Sequence, residues 1–289
     1  MSVVKSGFVA VAGRPNVGKS TLVNALCGEK VAITSKVPNT TRRRLFGVAH
    51  GPGYQLALVD LPGFQRPMDP LTERMQETVD ASFEDVDAVL LVVDARERIG
   101  AGDRFVARRV FGLGTPVVIA LNKIDRLKLG HVASQMKVAA TLGDFHALHP
   151  VSAITKDGVD ELRHDLVFLL PEGPAYFPHE QATDLGLEER VAEVVREKAL
   201  HLTHEEVPHA ILVEVEAIEE RAVRAVVYVE TESQKGILVG KRGAMIREIG
   251  VRARPEVEAL VGRPLFLDLT VKVRPKWRRD PLMLERLGL

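Results

Sequence analysis

The chain has 289 residues, 46% apolar and 27% charged, a composition of soluble globular protein with room for two domains. Its 39 basic and 39 acidic residues cancel, so bulk polyelectrolyte binding to nucleic acid is excluded and any such site must be a local patch. The single cysteine, Cys27, excludes an intrachain disulfide and a cysteine zinc cluster; no apolar run is long enough to span a bilayer or to read as a signal peptide, so a reducing, cytoplasmic setting is expected.

The first predicted strand, Phe8–Ala12, runs into Gly13–Ser20, GRPNVGKS, which satisfies G-x-x-x-x-G-K-[ST] in full, with a helix opening at Thr21. Glycines there let the backbone wrap an anion with its N–H groups pointing inward, and the helix N-terminus adds a field that favours phosphate. Lys19 is expected to reach the β- and γ-phosphates and the Ser20 hydroxyl to bind Mg2+. Gly13, Asn16, Val17, Gly18 and Thr21 complete the predicted lining of this turn. The polar, basic stretch Ser35–Arg44, SKVPNTTRRR, lies where a loop would close over Mg2+ and the γ-phosphate. Thr41 is the expected metal ligand and Thr40 its alternative; the arginines either solvate the loop or touch RNA.

A strand over Tyr54–Asp60 ends in DLPG. Asp60 can hold Mg2+ through water, and the Gly63 N–H can touch the γ-phosphate. Lys19, Thr41 and Gly63 are therefore the predicted catalytic groups. Phe64 follows where small regulatory GTPases carry a water-orienting glutamine, so slow intrinsic hydrolysis is expected. Helix Leu71–Phe83, strand Ala88–Ala95, helix Asp103–Phe111 and strand Pro116–Asp125 continue an alternation that builds an α/β, doubly wound, mostly parallel sheet. The last of these strands ends in NKID, Asn122–Asp125. The Asp125 carboxylate can accept both N1–H and N2–H of guanine, which adenine cannot offer. Asn122 would tie the base edge to the phosphate loop, and the Lys123 stem would stack along the purine. Strand Ala147–Ala153 leads into SAITKDG, where Ser152 and Ala153 would face the base, the Ala153 N–H reaching O6. Together these segments predict a site for GTP or GDP with Mg2+; taken singly, each is also compatible with a surface turn. A P-loop kinase shares the first turn but not NKID.

Residues 1–171 are thus assigned to a nucleotide domain and 172–186, within the Pro- and Gly-rich run PEGPAYFPHEQATDLG, to a linker. Residues 187–289 change pattern: helix Leu187–Leu200, strands His209–Glu216 and Arg224–Thr231, two helical pieces around a turn over Gly243–Leu260, and strand Pro264–Val273. In the middle stands a second glycine–lysine turn, ILVGKRGAMIREIG. Its spacing is one residue short of a phosphate loop, and Arg242 occupies the place of the metal-binding hydroxyl. A G-x-x-G loop between two short helices in an α-β-β-α-α-β order instead fits a type II KH module, whose loop clamps the backbone of single-stranded RNA. Gly240, Lys241, Arg242 and Gly243 would grip phosphates, with Ile237, Val239 and Ile246 flooring the groove. In the tail KVRPKWRR, Lys272, Arg274, Lys276, Arg278 and Arg279 form the local basic patch, and Trp277 either stacks on a base or caps the apolar core. A glycine-capped helix–turn–helix and a solvated charged tail are the competing readings.

GRPNVGKS, TTR, DLPG, NKID and SA resemble the five guanine-nucleotide motifs of bacterial translation-factor-class GTPases, and GRPNVGKSTLVNAL with TTR is similar to their Era-like branch. With the GKRG domain, the resemblance to the Era family runs from about Ser6 to Leu287. It implies a GTP hydrolase that binds the 3′ end of 16S rRNA and the small ribosomal subunit during its assembly. In related GTPases an asparagine at the place of Asn16 helps bind a monovalent cation, which implies K+ beside the phosphates; a loop-bracing hydrogen bond is the alternative. A monomer is expected. The rival reading is a membrane-associated regulatory GTPase, peripheral to the inner membrane through its basic tail, although no lipidation motif accompanies it.

Overall fold

The computed structural model describes residues 4–64 and 67–286. Its first part runs β1 (Val4–Ala12), α1 (Lys19–Cys27), β2 (Leu45–Gly51), β3 (Tyr54–Asp60), α2 (Pro70–Ala81), β4 (Ala88–Asp94), α3 (Ala101–Phe111), β5 (Val117–Asn122), α4 (Leu129–Ala139), β6 (Ala147–Val151), α5 (Val159–Leu169). The strands lie in the order β2-β3-β1-β4-β5-β6, parallel except for β2, which pairs antiparallel with β3. β4, AVLLVVD, is buried along its whole length because apolar layers cover both faces of the sheet. The phosphate turn, DLPG, NKID and SAITKDG all leave the C-terminal ends of parallel strands, so the topology gathers them along one edge, where doubly wound sheets bind ligands. The β2 strand is a departure from expectation: its sequence, LFGVAHG, carries two glycines and no clean alternation, and its partner β3 imposes the pairing.

The segment expected to be a linker is a strap. β7 (Glu172–Gly173) pairs antiparallel with the start of β1. The Gln55 side chain accepts the N–H groups of Tyr176 and Phe177 and donates to the Phe177 carbonyl. Val48 N–H donates to Ala182 O at 2.8 Å and Phe46 N–H to the Asp184 carboxylate, which covers the open side of β2. Phe8, Phe46, Tyr176 and Phe177 pack ring against ring beneath it.

Beyond the strap come α6 (Leu187–Leu202), α7 (Val207–Ala210), β8 (Leu212–Ile218), β9 (Ala222–Val229), α8 (Glu232–Val239), α9 (Ala244–Val261), β10 (Phe266–Val273) and α10 (Pro281–Arg286). A second sheet runs β10-β9-β8, with β10 parallel and β8 antiparallel to β9. Val191, Val195, Val227, Leu238, Ile249 and Val257 from its strands and helices form a separate core. Two expectations shift. Pro208 sits in a helical turn, its missing N–H harmless there, so the strand starts at Leu212 instead of His209. Residues 244–261 form one helix through Pro255 and not two pieces, because Pro255 and Val251 lie on the solvent face, where water can meet the freed Val251 carbonyl. The two sheets meet through α2: Leu71 and Met75 pack with Leu212, Trp277, Met283 and Leu284.

Candidate nucleotide and RNA sites

The phosphate turn wraps closely against its neighbours. A Cβ on Gly18, at φ +98°, would come within 2.4 Å of the Asn122 side-chain nitrogen, and one on Gly63 within 2.8 Å of Pro15 N. Lys19 is buried, its Nζ donating to the carbonyls of Gly13 (3.2 Å) and Arg14 (3.1 Å). Burial pushes its ammonium down to about 8, against the pull of Asp60. The turn is braced from outside by Arg14, which pairs at 2.8 Å with the buried Asp103 of α3.

Ser20, Thr41 and Asp60 converge. Ser20 Oγ donates to Asp60 Oδ2 at 2.6 Å, Thr41 Oγ1 donates to the same oxygen at 3.2 Å, and the two hydroxyls are 2.9 Å apart. Asp60 Oδ1 is buried and has no hydrogen-bond partner among the described residues, and burial raises the carboxyl above its ordinary range. An unmet buried carboxylate oxygen beside two hydroxyls is a hard-oxygen donor set, open for phosphate and water, and it fits Mg2+. Of the two threonines, Thr41 is the one brought to this cluster. Thr40 Oγ1 turns to Val37 O and Ser35 Oγ instead.

At the base end, Asn122 is spent on the protein. Its Nδ2 donates to Val17 O at 2.9 Å, and its Oδ1 accepts Lys123 N–H and Ala153 N–H. The amide therefore ties three loops together, and the Ala153 N–H expected to reach guanine O6 is already engaged. Ser152 is fully buried and donates to Asp125 Oδ1 at 2.8 Å, so its hydroxyl is directed at the carboxylate. Lys123 Nζ reaches the Asn16 carbonyl and Asp94. Asn16 Nδ2 donates to Lys36 O at 2.9 Å: the bond that braces the loop is the one present. Phe64 turns inward and stacks on Phe83, centroids 5.8 Å apart.

The second site is a turn between α8 and α9. Gly240, Arg242 and Gly243 all have positive φ, which folds Lys241 and Arg242 out into solvent. Neither cation forms an ion pair among the described residues. Ile237 is exposed beside them, whereas Val239 and Ile246 are half-buried against the core. The tail is less available than its sequence suggests. Lys272 pairs with Glu216, Arg274 with Asp280, and Arg278 with Glu230 and Asp69. Trp277, expected among the RNA-binding groups, is corrected: it is fully buried, and its Nε1–H donates to Ala210 O at 2.9 Å. Lys276 and Arg279 remain without ion pairs among the described residues.

Sequence reasoning missed how the loop over the metal cluster is held by the second domain. Arg42 donates to the carbonyls of Ile211 (2.7 Å) and His209 (3.1 Å), and its guanidinium lies 5.3 Å from the centre of the Trp277 ring. Burial, then the neighbouring Arg196, pushes Arg42 down to about 9. Arg196 on α6 donates to Thr40 O, Glu197 accepts Thr34 N–H and pairs with Lys30, and His201 meets Thr34 O. The only sequence signal for these partners is that α6 carries charged side chains on a face that also carries buried valines.

Residues 8–123 match the family described as 50S ribosome-binding GTPase, and residues 206–278 the KH domain family. The chain is 42% identical over 294 residues to GTPase Era of Heliobacterium modesticaldum, covering 100% of this chain and 98% of that one. It is 42% identical over 298 residues to GTPase Era of Mycobacterium sp. (strain JLS), covering 100% of both. Among solved structures it is similar to an Aquifex aeolicus Era variant bound to GDP·AlF4− (38% identity, TM-score 0.92, 99% of each chain). It is equally similar to Era in complex with MgGDPNP and nucleotides 1506–1542 of 16S rRNA (38% identity, TM-score 0.92, 99% of each chain). The membrane-associated alternative finds no support in these matches, and no helix among the described residues is long and apolar enough to cross a bilayer. With both folds, the phosphate turn and the G-x-x-G turn matched along its full length, the chain belongs to the Era family of GTPases.

Proposed function

We propose that this chain is a GTP-driven RNA-binding switch. It binds GTP with Mg2+ and hydrolyses it slowly to GDP and phosphate. Through its KH groove it holds single-stranded RNA at the 3′ end of 16S rRNA during assembly of the small ribosomal subunit, as a cytoplasmic monomer. Residues 1–171 form the nucleotide unit, 172–186 the connection and 187–289 the RNA unit. The observation that carries the coupling is the adjacency of Thr41 and Arg42. Thr41 stands at the oxygens that would hold the metal, while Arg42 is inserted into the carbonyls of the second domain. A threonine that follows the γ-phosphate and its metal therefore moves an arginine that docks the RNA unit. An interdomain cavity of about 250 Å³, lined by Ile33, Thr41, Arg43, Leu185, Ala192 and Val213 among others, leaves the loop room to rearrange.

In the chemical step, Mg2+ when bound supplies Lewis-acid charge to the phosphate oxygens. Lys19 exchanges its two carbonyl partners for the β- and γ-phosphates, and the Gly63 N–H meets the γ-phosphate. Phe64 offers no water-orienting group, which supports a low intrinsic rate. A K+ contribution at Asn16 is tested by comparing hydrolysis in K+ and Na+; equal rates remove it. The switch itself is tested with a short RNA ending like a small-subunit rRNA 3′ tail. Binding should be favoured by a non-hydrolysable GTP analogue over GDP and lost in a Lys241→Asp, Arg242→Asp variant. Equal binding in both nucleotide states would leave RNA binding without the coupling, and no binding in either would remove the KH assignment.

A further inference from the structure

Asp94 closes β4, in register with Asn122 at the end of β5. Its carboxylate is almost wholly buried and accepts Lys123 Nζ at 2.7 Å. The same carboxylate takes Arg96 through Nη2 at 2.8 Å, Nε at 3.1 Å and the backbone N–H at 3.0 Å. Lys123 starts from φ +72° and turns back over the phosphate loop, so that a Cβ on Gly18 would lie 3.5 Å from its Cε. Its ammonium then has two tethers, the Asn16 carbonyl and Asp94. The aliphatic stem is thereby held against the phosphate turn beside Gly18. A free lysine side chain samples many rotamers about its four torsions. Fixing it before a ligand arrives removes that cost from binding.

We propose that Asp94 is a positioning residue for the guanine nucleotide: it holds the Lys123 stem as a preformed platform for the purine and balances the ammonium charge. The proposal rests on Asn122–Asp125 being the guanine site. It is tested by dissociation kinetics of a fluorescent GDP together with steady-state hydrolysis. Asp94→Asn keeps the shape and removes the charge. It should lower GDP and GTP affinity equally, about tenfold, through faster dissociation. The loss should appear in KM, with kcat within about twofold. On a Lys123→Ala background the same substitution should add nothing, since its effect passes through the lysine. Arg96→Ala, which removes the guanidinium from the carboxylate and keeps the backbone N–H, should change affinity less than about twofold. Unchanged affinity in Asp94→Asn overturns the proposal. So does a loss that adds fully to that of Lys123→Ala with a lowered melting temperature, because Asp94 would then brace the fold. If Lys123→Ala and Asp125→Asn both leave guanine affinity intact, the guanine-site reading itself fails, and the proposal with it.

Discussion

Replacing Trp277 with alanine should loosen the seam between the two domains and leave the nucleotide chemistry in place. The ring is fully buried among Leu71, Met75, Leu212, Met283 and Leu284, with its N–H on Ala210 O and the Arg42 guanidinium over its face. A buried tryptophan removes roughly 200 Å² from water, which at about 25 cal/mol per Å² is an upper bound of about 5 kcal/mol. Truncation to alanine in such a site costs about 3–5 kcal/mol, part of it from the cavity left behind. Because Leu71 and Met75 belong to the first domain and the rest to the second, much of this cost falls on docking. Urea unfolding should be followed by far-UV circular dichroism, because Trp277 is the chain's one tryptophan and the variant has no comparable emission. A stability loss of about 3 kcal/mol or more is expected, with earlier proteolytic cleavage between the domains. Stability within about 1 kcal/mol of the parent, together with weakened RNA binding, would refute the reasoning and return the ring to the RNA-stacking role.

Three further outcomes follow from the geometry. Burial holds Lys19 down at about 8, and a bound phosphate favours its charged form, so the nucleotide complex keeps a proton that the protein without nucleotide loses above about pH 8. GTP affinity should be flat below that pH and fall by up to about tenfold per unit above it; calorimetry in buffers of different ionisation enthalpy should show proton uptake near pH 9, and proton release would contradict it. Burial alone would raise the Glu197 carboxyl, but bonds from Lys198, Lys30 and the Thr34 N–H outweigh it and hold the group below its ordinary range. Its stabilisation is therefore present above the unfolded-state value and lost as pH falls through the folded one; Glu197→Gln should cost about 2 kcal/mol at pH 7 and progressively less on acidification, as measured by denaturant melts. Thr41→Ala should slow Mg2+-dependent hydrolysis about a hundredfold, whereas Thr40→Ala should keep most activity, since Arg196 grips Thr40 through its backbone carbonyl; equal losses would break the assignment.

Much of the first domain was legible because its chemistry is local. GRPNVGKS needs fixed spacing between a strand and a helix, and NKID needs a strand end, so motif and element confirm each other at the level of sequence. The β2 strand was not legible, since its hydrogen bonds are decided by β3 and the strap, not by LFGVAHG itself. Trp277 shows the same limit from the other side. A tryptophan between basic residues suits RNA stacking and core packing equally well, and only the position of α2 against the tail decides between them. Ser152 and Asn122 come together with Asp125 and Ala153 as the motif order expects, but their partners are tertiary hydrogen bonds, absent from any linear pattern.

The strap has a consequence for the chain as a material. Its hydrogen bonds to Val48 and Phe46 satisfy, from within the molecule, an edge that another chain's strand could otherwise take. The connection is thus insulation as well as tether. A fragment ending at residue 171 would uncover that edge together with the Gln55 amide and should associate through it, whereas one carried to residue 186 keeps its own cover. Nicking the strap would accordingly do more than free the second domain: it would turn a closed sheet border into an adhesive one.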